Sequence, residues 1–144
     1  MRNILFVCTG NTCRSPMAEA FCKQLIQEKG FKELSCSSAG LAAYPGSPAS
    51  EFSIKVMGEV GIDLSGHRSQ PLNAEMVAQA DEIWVLSPSH KQAIAAAMPQ
   101  FSGKIFVLGN GIPDPYGYGI EVYRSCRDEI KKAVEQIPCL RGGN

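Results

Sequence analysis

The strongest constraint on the fold is a regular alternation of short apolar runs with helical segments. Residues 4–7 form a continuous apolar run, which is typical of a strand buried on both faces of a sheet. Further strands are predicted at 34–38, 82–86 and 104–107, and helices at 16–29, 47–59, 73–80, 87–97 and 120–137. Strands that alternate with helices build βαβ units. We therefore predict an α/β fold: a single-domain three-layer sandwich whose four-stranded parallel sheet carries helices on both faces.

Length and charge exclude several classes of protein. The chain has 144 residues, which suits one domain spanning 1–144. Its 14 basic and 14 acidic residues cancel, so net charge does not attract the chain to nucleic acid or to an anionic membrane. No apolar run is long enough for a membrane span or a secretion signal. We expect a cytoplasmic protein with no nucleic-acid and no membrane partner.

The six cysteines allow either a disulfide framework or a set of reduced thiols. A chain of this size folds without disulfides, and we expect reduced thiols in the absence of an export signal. The sequence lacks paired Cys-x-x-Cys motifs and His-x-x-x-His, so it predicts no metal site and no cofactor. Cys22 and Cys126 are expected in the core, whereas Cys139 and the tail 141–144 are expected to fray.

The chemistry is concentrated in the loop between the first strand and the first helix, which reads Cys8-Thr9-Gly10-Asn11-Thr12-Cys13-Arg14-Ser15. A loop that leads into a helix N-terminus directs successive backbone N–H groups at one point, where the helix dipole adds positive potential. Gly10 permits close approach of the backbone, and Asn11 tolerates a left-handed conformation. The loop, residues 9–15, is therefore a candidate phosphate-binding site.

Three side chains of this Cys-x5-Arg-Ser pattern suit phosphoryl transfer. Cys8 in such a field is the candidate nucleophile, because the thiolate is the form that attacks phosphorus. Arg14 offers a planar fork for two phosphoryl oxygens, and Ser15 can hydrogen-bond the thiolate. The alternative is a buried structural cysteine before an ordinary helix. A Walker loop is absent, which disfavours a nucleotide hydrolase and leaves attack of Cys8 on phosphorus, followed by hydrolysis of a phosphocysteine without a metal.

A proton donor for the leaving group is predicted in the long glycine- and proline-rich loop 108–119. Asp114 precedes a proline there and can reach a phosphate site from a neighbouring strand end. An isolated Asp-Pro pair is usually only a turn signal. Together with the Cys-x5-Arg-Ser loop, it indicates a general acid that later activates the hydrolytic water.

These motifs resemble the low-molecular-weight protein tyrosine phosphatases over essentially the whole chain. The matching segments are 7–16 and Asp114-Pro115-Tyr116. The resemblance implies Cys8 as nucleophile, Arg14 as phosphate binder, Ser15 as thiolate stabiliser and Asp114 as general acid. It also implies a hydrogen-bonded network that contains Asn11 and Ser38 and reaches His67, which we read as a structural histidine.

The resemblance further implies a substrate cleft and a redox pair. Tyr44 and Tyr116 match the aromatic walls of the cleft, and Thr12 lies in its loop. Cys13 matches a second cysteine that can trap an oxidised nucleophile as a reversible disulfide. His90, at the start of a predicted helix, is expected to be solvated.

Two features resemble the protein-arginine phosphatase branch more than the tyrosine-specific pattern. Position 12 is Thr, where tyrosine phosphatases usually carry a larger aliphatic residue. The segment 86–91 lacks the acidic residue that they often carry near position 87. Tyr116 argues the other way, because the arginine branch often has Phe there. The sequence thus predicts phosphorylated protein substrates, with a slight preference for phosphoarginine over phosphotyrosine and a strict tyrosine phosphatase as the alternative.

Two other functions fit part of the same pattern. Arsenate reductases share the Cys-x5-Arg loop but need relay cysteines near the third strand, and residues 81–100 contain none. A non-catalytic module that binds phosphate or another oxyanion needs neither a nucleophile nor an acid, yet Cys8 and Asp114 are present. A cysteine-dependent phosphatase is the favoured interpretation.

Overall fold

Strand β1 (Arg2–Cys8) is an inner strand of the sheet, and its burial explains its apolar sequence. The computed structural model describes residues 1–141. The sheet has the order β2-β1-β3-β4, and all pairs are parallel. The other strands are β2 (Leu34–Gly40), β3 (Glu82–Val85) and β4 (Ile105–Val107). The predicted four-stranded parallel sheet is confirmed.

Helices cover both faces of this sheet. They are α1 (Arg14–Lys29), α2 (Glu51–Gly58), α3 (Ala74–Gln79), α4 (Pro88–Ala97), α5 (Ile120–Glu135) and α6 (Pro138–Arg141). Side chains alternate along β1, so Ile4 and Phe6 join the core under α1, α2, α5 and α6, whereas Leu5 and Val7 join the core under α3 and α4. The three-layer α/β sandwich is therefore as predicted. Cys8 lies on the same side as Ile4 and Phe6.

Helix α2 begins later than the Ser-Pro pair at 47–48 predicts. The backbone of Ser47 is paired with Ser69, because Ser69 N–H donates to the Ser47 carbonyl at 2.7 Å. Residues 47–50 lie outside the helix, and Ser50, whose backbone is extended, caps α2 instead by accepting from Ser53 N–H. The prediction at Asn73 is correct, since its side chain caps α3.

The C-terminal segment is more ordered than expected. Cys139 and Arg141 belong to α6, in which Leu140 is fully buried and its carbonyl accepts from Lys29 Nζ at 2.8 Å. The expectation that Cys139 frays is therefore wrong, because the buried Leu140 anchors this turn. The remainder of the predicted tail, 142–144, lies outside the described residues.

The carboxyl ends of the strands bring two distant loops together. Leu86 N–H donates to the Val7 carbonyl, and Ile112 N–H donates to the Leu86 carbonyl at 2.8 Å. These bonds extend the sheet pattern beyond the strands and hold the loop after β4 beside the loop after β1. Within residues 1–141, none of the helices is both long and apolar enough to cross a bilayer.

Candidate active site

The thiol of Cys8 lies at the carboxyl end of β1, enclosed by groups that can donate to it. Ser15 Oγ lies 2.9 Å from Cys8 Sγ, and Asn11 N–H donates to the same sulfur at 3.3 Å. Ser15 Oγ already accepts from Asn11 Nδ2 at 2.8 Å, so its own proton is free for the sulfur. Donors aimed at the sulfur stabilise a thiolate, which is the nucleophilic form.

Asn11 is buried in the left-handed conformation, with φ of 57°. Its Nδ2 also donates to Ser38 Oγ at 2.9 Å, and its carbonyl lies 2.8 Å from His67 Nε2. The network that the resemblance implied is thus present. For a residue other than glycine, this conformation costs roughly 1–2 kcal/mol, which the hydrogen bonds offset.

The structure adds two residues to this network that the sequence analysis did not predict, Gln70 and Glu19. Gln70 N–H donates to Asn11 Oδ1 at 3.0 Å, and Ser38 Oγ donates to Glu19 Oε1 at 2.5 Å. Glu19 lies one turn of α1 beyond Ser15, so helical spacing could have indicated it. Gln70 lies in a loop that only the tertiary fold brings to Asn11, and no local pattern marks it.

Arg14 is 5% exposed, and one of its N–H groups is fixed by the neighbouring loop. Its Nη1 donates to the Ile112 carbonyl at 2.8 Å, and its Nη2 lies 3.7 Å from Asp114 Oδ2. Asp114 is half-exposed and caps its own turn by accepting from Tyr116 N–H at 3.1 Å. The arginine is therefore rigid, whereas the carboxylate lies at the rim and faces it.

A cleft of about 230 Å³ opens above the loop. It is lined by Cys8, Thr9, Gly10, Thr12, Cys13, Arg14, Asp114 and Tyr116. Asn11 and Ser15 lie behind this surface and are fully buried. Tyr44 is 81% exposed in the loop after β2 and does not line the cleft. Of the two predicted aromatic walls, the structure therefore brings Tyr116 to the nucleophile.

Cys13 lines the cleft but is largely buried, and it lies beside a tyrosine that the sequence did not single out. Its Sγ lies 3.5 Å from Tyr123 Oη and donates to Ser50 Oγ at 3.5 Å. Burial, together with the Cys13 contact, raises the pKa of Tyr123, so its hydroxyl remains protonated. All six cysteines are free thiols, as expected.

His90 differs from its predicted solvated state. It is 4% exposed, and its Nε2 lies 2.9 Å from Thr9 Oγ1. Burial, reinforced by the charge of Arg14, lowers the pKa of His90 to about 4. The signal that could have revealed it is its position one helical turn before Ile94, which is also buried on α4.

The residues described hold no group of three or more His, Cys, Asp or Glu placed to bind a metal ion. The loop residues and Arg14 line the cleft, where backbone N–H groups and the guanidinium can hold the oxygens of an oxyanion. With a shielded thiol below and a carboxylate at the rim, this arrangement can support in-line displacement at phosphorus.

Comparison with known proteins agrees with this geometry. The family profile of low molecular weight phosphotyrosine protein phosphatase matches residues 3–138. The protein-arginine-phosphatase of Bacillus subtilis (strain 168) is 36% identical over 142 residues, covering 94% of this chain and 93% of that protein. EpsP of Ralstonia nicotianae, a probable low molecular weight protein-tyrosine-phosphatase, is 36% identical over 146 residues, covering 98% and 97%.

A solved phosphatase structure also has the same fold as this chain. The arginine phosphatase YwlE, in a mutant with a phosphorylated active-site serine, matches with a TM-score of 0.90 at 34% identity, covering 97% of this chain and 94% of that one. The chain belongs to the low molecular weight phosphotyrosine protein phosphatase family, as its paired motifs predicted.

Proposed function

We propose that residues 1–144 form a single phosphatase domain that hydrolyses phosphorylated proteins through a phosphocysteine intermediate. The observation that carries this proposal is the environment of Cys8. Its sulfur accepts from Ser15 and from the Asn11 amide at the floor of a cleft that Arg14 and Asp114 also line. A structural cysteine has no need of this combination of donors, cation and acid.

The first step is attack of the Cys8 thiolate on the bound phosphoryl group. Arg14 and the amides of residues 9–15 hold the equatorial oxygens while an S–P bond forms. The bond from phosphorus to the leaving oxygen or nitrogen breaks, and Asp114 gives its proton to that atom. Because Ile112 fixes one side of the Arg14 fork, the remaining N–H groups are pre-oriented for phosphate.

The second step regenerates the Cys8 thiolate. Asp114, now a carboxylate, takes a proton from water, which attacks phosphorus and breaks the S–P bond. The Ser15 hydroxyl stabilises the departing thiolate through the 2.9 Å contact. The phosphorylated active-site serine of the YwlE mutant supports a covalent phosphoryl intermediate in this fold.

We infer a slight preference for phosphoarginine. Thr12 lines the cleft, and its hydroxyl has only a weak 3.9 Å contact with Cys13 Sγ. It is therefore free to hydrogen-bond a guanidinium, and the carbonyl oxygen of the Asp114 carboxyl group can accept a further hydrogen bond from it. The chain is 36% identical both to an arginine phosphatase and to a probable tyrosine phosphatase, so overall identity does not distinguish the two substrates. The inference therefore depends on the residues that line the cleft. A strict tyrosine phosphatase is the alternative, favoured by the exposed ring of Tyr116 at the rim.

The test is a direct comparison of kcat/KM on two peptides of the same sequence that carry phosphoarginine or phosphotyrosine. A higher value for phosphoarginine supports the preference, and a higher value for phosphotyrosine overturns it while leaving the phosphatase function intact. No turnover of either peptide or of an aryl phosphate, by protein that binds inorganic phosphate, would leave an oxyanion-binding module.

The remaining site residues and the location complete the proposal. Cys13 is the thiol that would trap oxidised Cys8, and Tyr44 is a second wall that a bound peptide could engage from the loop after β2. We place the protein in the cytoplasm, supported by the free thiols of its cysteines. Its partners are phosphoproteins and small oxyanions, with no nucleic acid or membrane, and no step above requires a cofactor.

A further inference from the structure

His90 is a buried titratable side chain that lies beside the phosphate-binding loop but has no part in the mechanism above. It lies in the first turn of α4, on the opposite face of the sheet from α1. Its Nε2 is 2.9 Å from the hydroxyl of Thr9, the loop residue that follows Cys8. Because Thr9 lines the cleft, this contact links α4 to the place where a phosphoryl group would bind.

The imidazole of His90 is neutral at neutral pH. Burial is the main cause of its lowered pKa, and the positive charge of Arg14 acts in the same direction. Asp114 acts in the opposite direction but does not reverse the shift. A neutral imidazole carries a single N–H, so one ring nitrogen donates and the other accepts.

The surroundings decide which nitrogen carries the proton. His90 Nδ1 is buried and has no hydrogen-bond partner among residues 1–141. A proton there would leave a buried N–H unpaired, which is rarer and more costly than an unpaired acceptor. With the proton on Nε2, the N–H donates to Thr9 Oγ1. This tautomer makes the threonine hydroxyl the acceptor in the pair.

A threonine hydroxyl has one proton and two lone pairs. Once Thr9 Oγ1 accepts from His90, its own proton is free to point at an acceptor in the cleft. Given the phosphatase function proposed above, we propose that His90 is a positioning residue that directs the Thr9 hydroxyl toward the phosphoryl oxygens bound over Cys8. Thr9 then adds a side-chain donor to the loop amides and the Arg14 fork.

The test is a double-mutant cycle on Thr9→Val and His90→Leu. For each variant, kcat and KM are measured on 4-nitrophenyl phosphate, and the dissociation constant of inorganic phosphate is measured by calorimetry. Each single change is expected to lower kcat/KM about tenfold, the scale of one charge-assisted hydrogen bond. The double variant is expected to be no slower than Thr9→Val alone, because His90 acts through Thr9.

Conservative variants separate positioning from mere packing. Thr9→Ser retains the hydroxyl, and His90→Gln retains an N–H donor near the Nε2 position, so both are expected to recover most of the lost kcat/KM. His90→Asn is shorter and lacks that donor, so it is expected to resemble His90→Leu. The Gln/Asn pair keeps the test decisive if His90→Leu fails to fold. Gln92→Ala, on the exposed side of α4, is the matched control.

Three results would overturn this role: an unchanged kcat/KM in Thr9→Val, fully additive losses in the double variant, or equal losses in His90→Gln and His90→Asn. Failure of the phosphatase function has a different signature, namely a wild-type protein that turns over no phosphorylated substrate. In that case the dissociation constant of inorganic phosphate decides the cycle. Additive effects of Thr9→Val and His90→Leu on this constant would reject the His90 role, and non-additive effects would support it.

Discussion

Asp114 Oδ2 lies 3.7 Å from Arg14 Nη2, which places the acid of the proposed reaction opposite the phosphate-binding fork. The two side chains differ in mobility, because the arginine is buried against the Ile112 carbonyl whereas the carboxylate is half-exposed. A phosphoryl group can therefore take the place of the carboxylate on Nη2 without moving the arginine. In the proposed reaction, the displaced Asp114 takes up a proton and remains at the rim, where it can give that proton to the leaving atom.

Replacement of the acid should have an effect that depends on the leaving group. Asp114→Asn keeps the shape but cannot donate a proton as an acid, so hydrolysis of phenyl phosphate should slow by about a hundredfold or more. 2,4-Dinitrophenyl phosphate, whose leaving group needs no proton, should slow far less. The measurement is kcat/KM for both esters, which reports the first step and not the later hydrolysis of the phosphocysteine, with Asp128→Asn on the exposed face of α5 as control. Equal losses on the two esters would remove Asp114 from the acid role.

Removal of the nucleophile should separate catalysis from binding. Cys8→Ser is expected to lower kcat by at least about a thousandfold, because a serine hydroxyl is far less ionised than a thiol. Arg14 and the loop amides remain, so inorganic phosphate should still bind, as measured by calorimetry. Cys139→Ser, in the remote helix α6, is the matched control and should retain activity. Substantial turnover by Cys8→Ser would contradict the covalent mechanism.

The side chain at position 12 should control substrate choice. Thr12→Ile removes a hydroxyl and fills part of the cleft with apolar volume, which suits an aromatic ring better than a guanidinium. The ratio of kcat/KM for phosphotyrosine over phosphoarginine should rise by about tenfold or more. Thr12→Val, which removes only the hydroxyl, separates lost hydrogen bonding from added volume. An unchanged ratio in both variants would assign selectivity to another part of the cleft.

The network around Asn11 should contribute strongly to stability. Asn11→Ala removes its contacts with Ser15, Ser38 and Gln70, and we expect a loss of about 3 kcal/mol in the free energy of unfolding. Asn11→Gly loses the same contacts but relieves left-handed strain, so it should be about 1 kcal/mol more stable than Asn11→Ala. Urea denaturation measures both.

The matched control for this series is Asn110, which also has positive φ, 63°, but is exposed. Asn110→Ala should therefore lower the free energy of unfolding only by the cost of placing alanine in the left-handed conformation, about 1 kcal/mol. If Asn11→Ala is no more destabilising than Asn110→Ala, the buried hydrogen bonds of Asn11 contribute little.

The buried histidine should make stability depend on pH in the mildly acidic range. The pKa of His90 is lowered to about 4 in the folded state, so the unfolded chain binds a proton that the folded protein excludes. This contribution is complete above about pH 6.5 and is lost as pH falls toward 4, by up to about 3 kcal/mol. His90→Gln should flatten the unfolding free energy in this window, measured by urea denaturation at several pH values.

A second group acts at lower pH and can be distinguished. Arg124 and Arg127 hold the pKa of Glu59 at about 2, so its stabilisation is lost only below its unfolded value of about 4.5. Arg124→Ala should therefore change the pH dependence of the unfolding free energy below pH 4.5 and leave it unchanged between pH 6.5 and 4.5, where only His90 contributes. A His90→Gln protein with the same slope as wild type between pH 6.5 and 4 would contradict the assignment to His90.

Local patterns determined a large part of this molecule. Three contiguous segments follow one another at the start of the chain: the apolar run of β1, the loop from Cys8 to Ser15, and the helix after it. Because each has its own local pattern, hydrophobic periodicity and turn residues predict the strand, the loop and the helix in this order. The position of Asp114 beside this loop was also predictable, since parallel strands end at one edge of a sheet and their loops meet there. The same local information supported the α/β class.

Only the tertiary structure decided which groups from distant segments meet the loop. His90 is buried because its side of α4 packs toward Thr9, and Gln70 reaches Asn11 from a loop with no marking pattern. Pairing of Ser47 with Ser69 likewise set the start of α2. Periodicity shows which residues share a face of a helix or strand. Which element covers that face depends on packing between segments far apart in the chain, and this packing in turn decides the solvation and the hydrogen-bond partners of the residues on it.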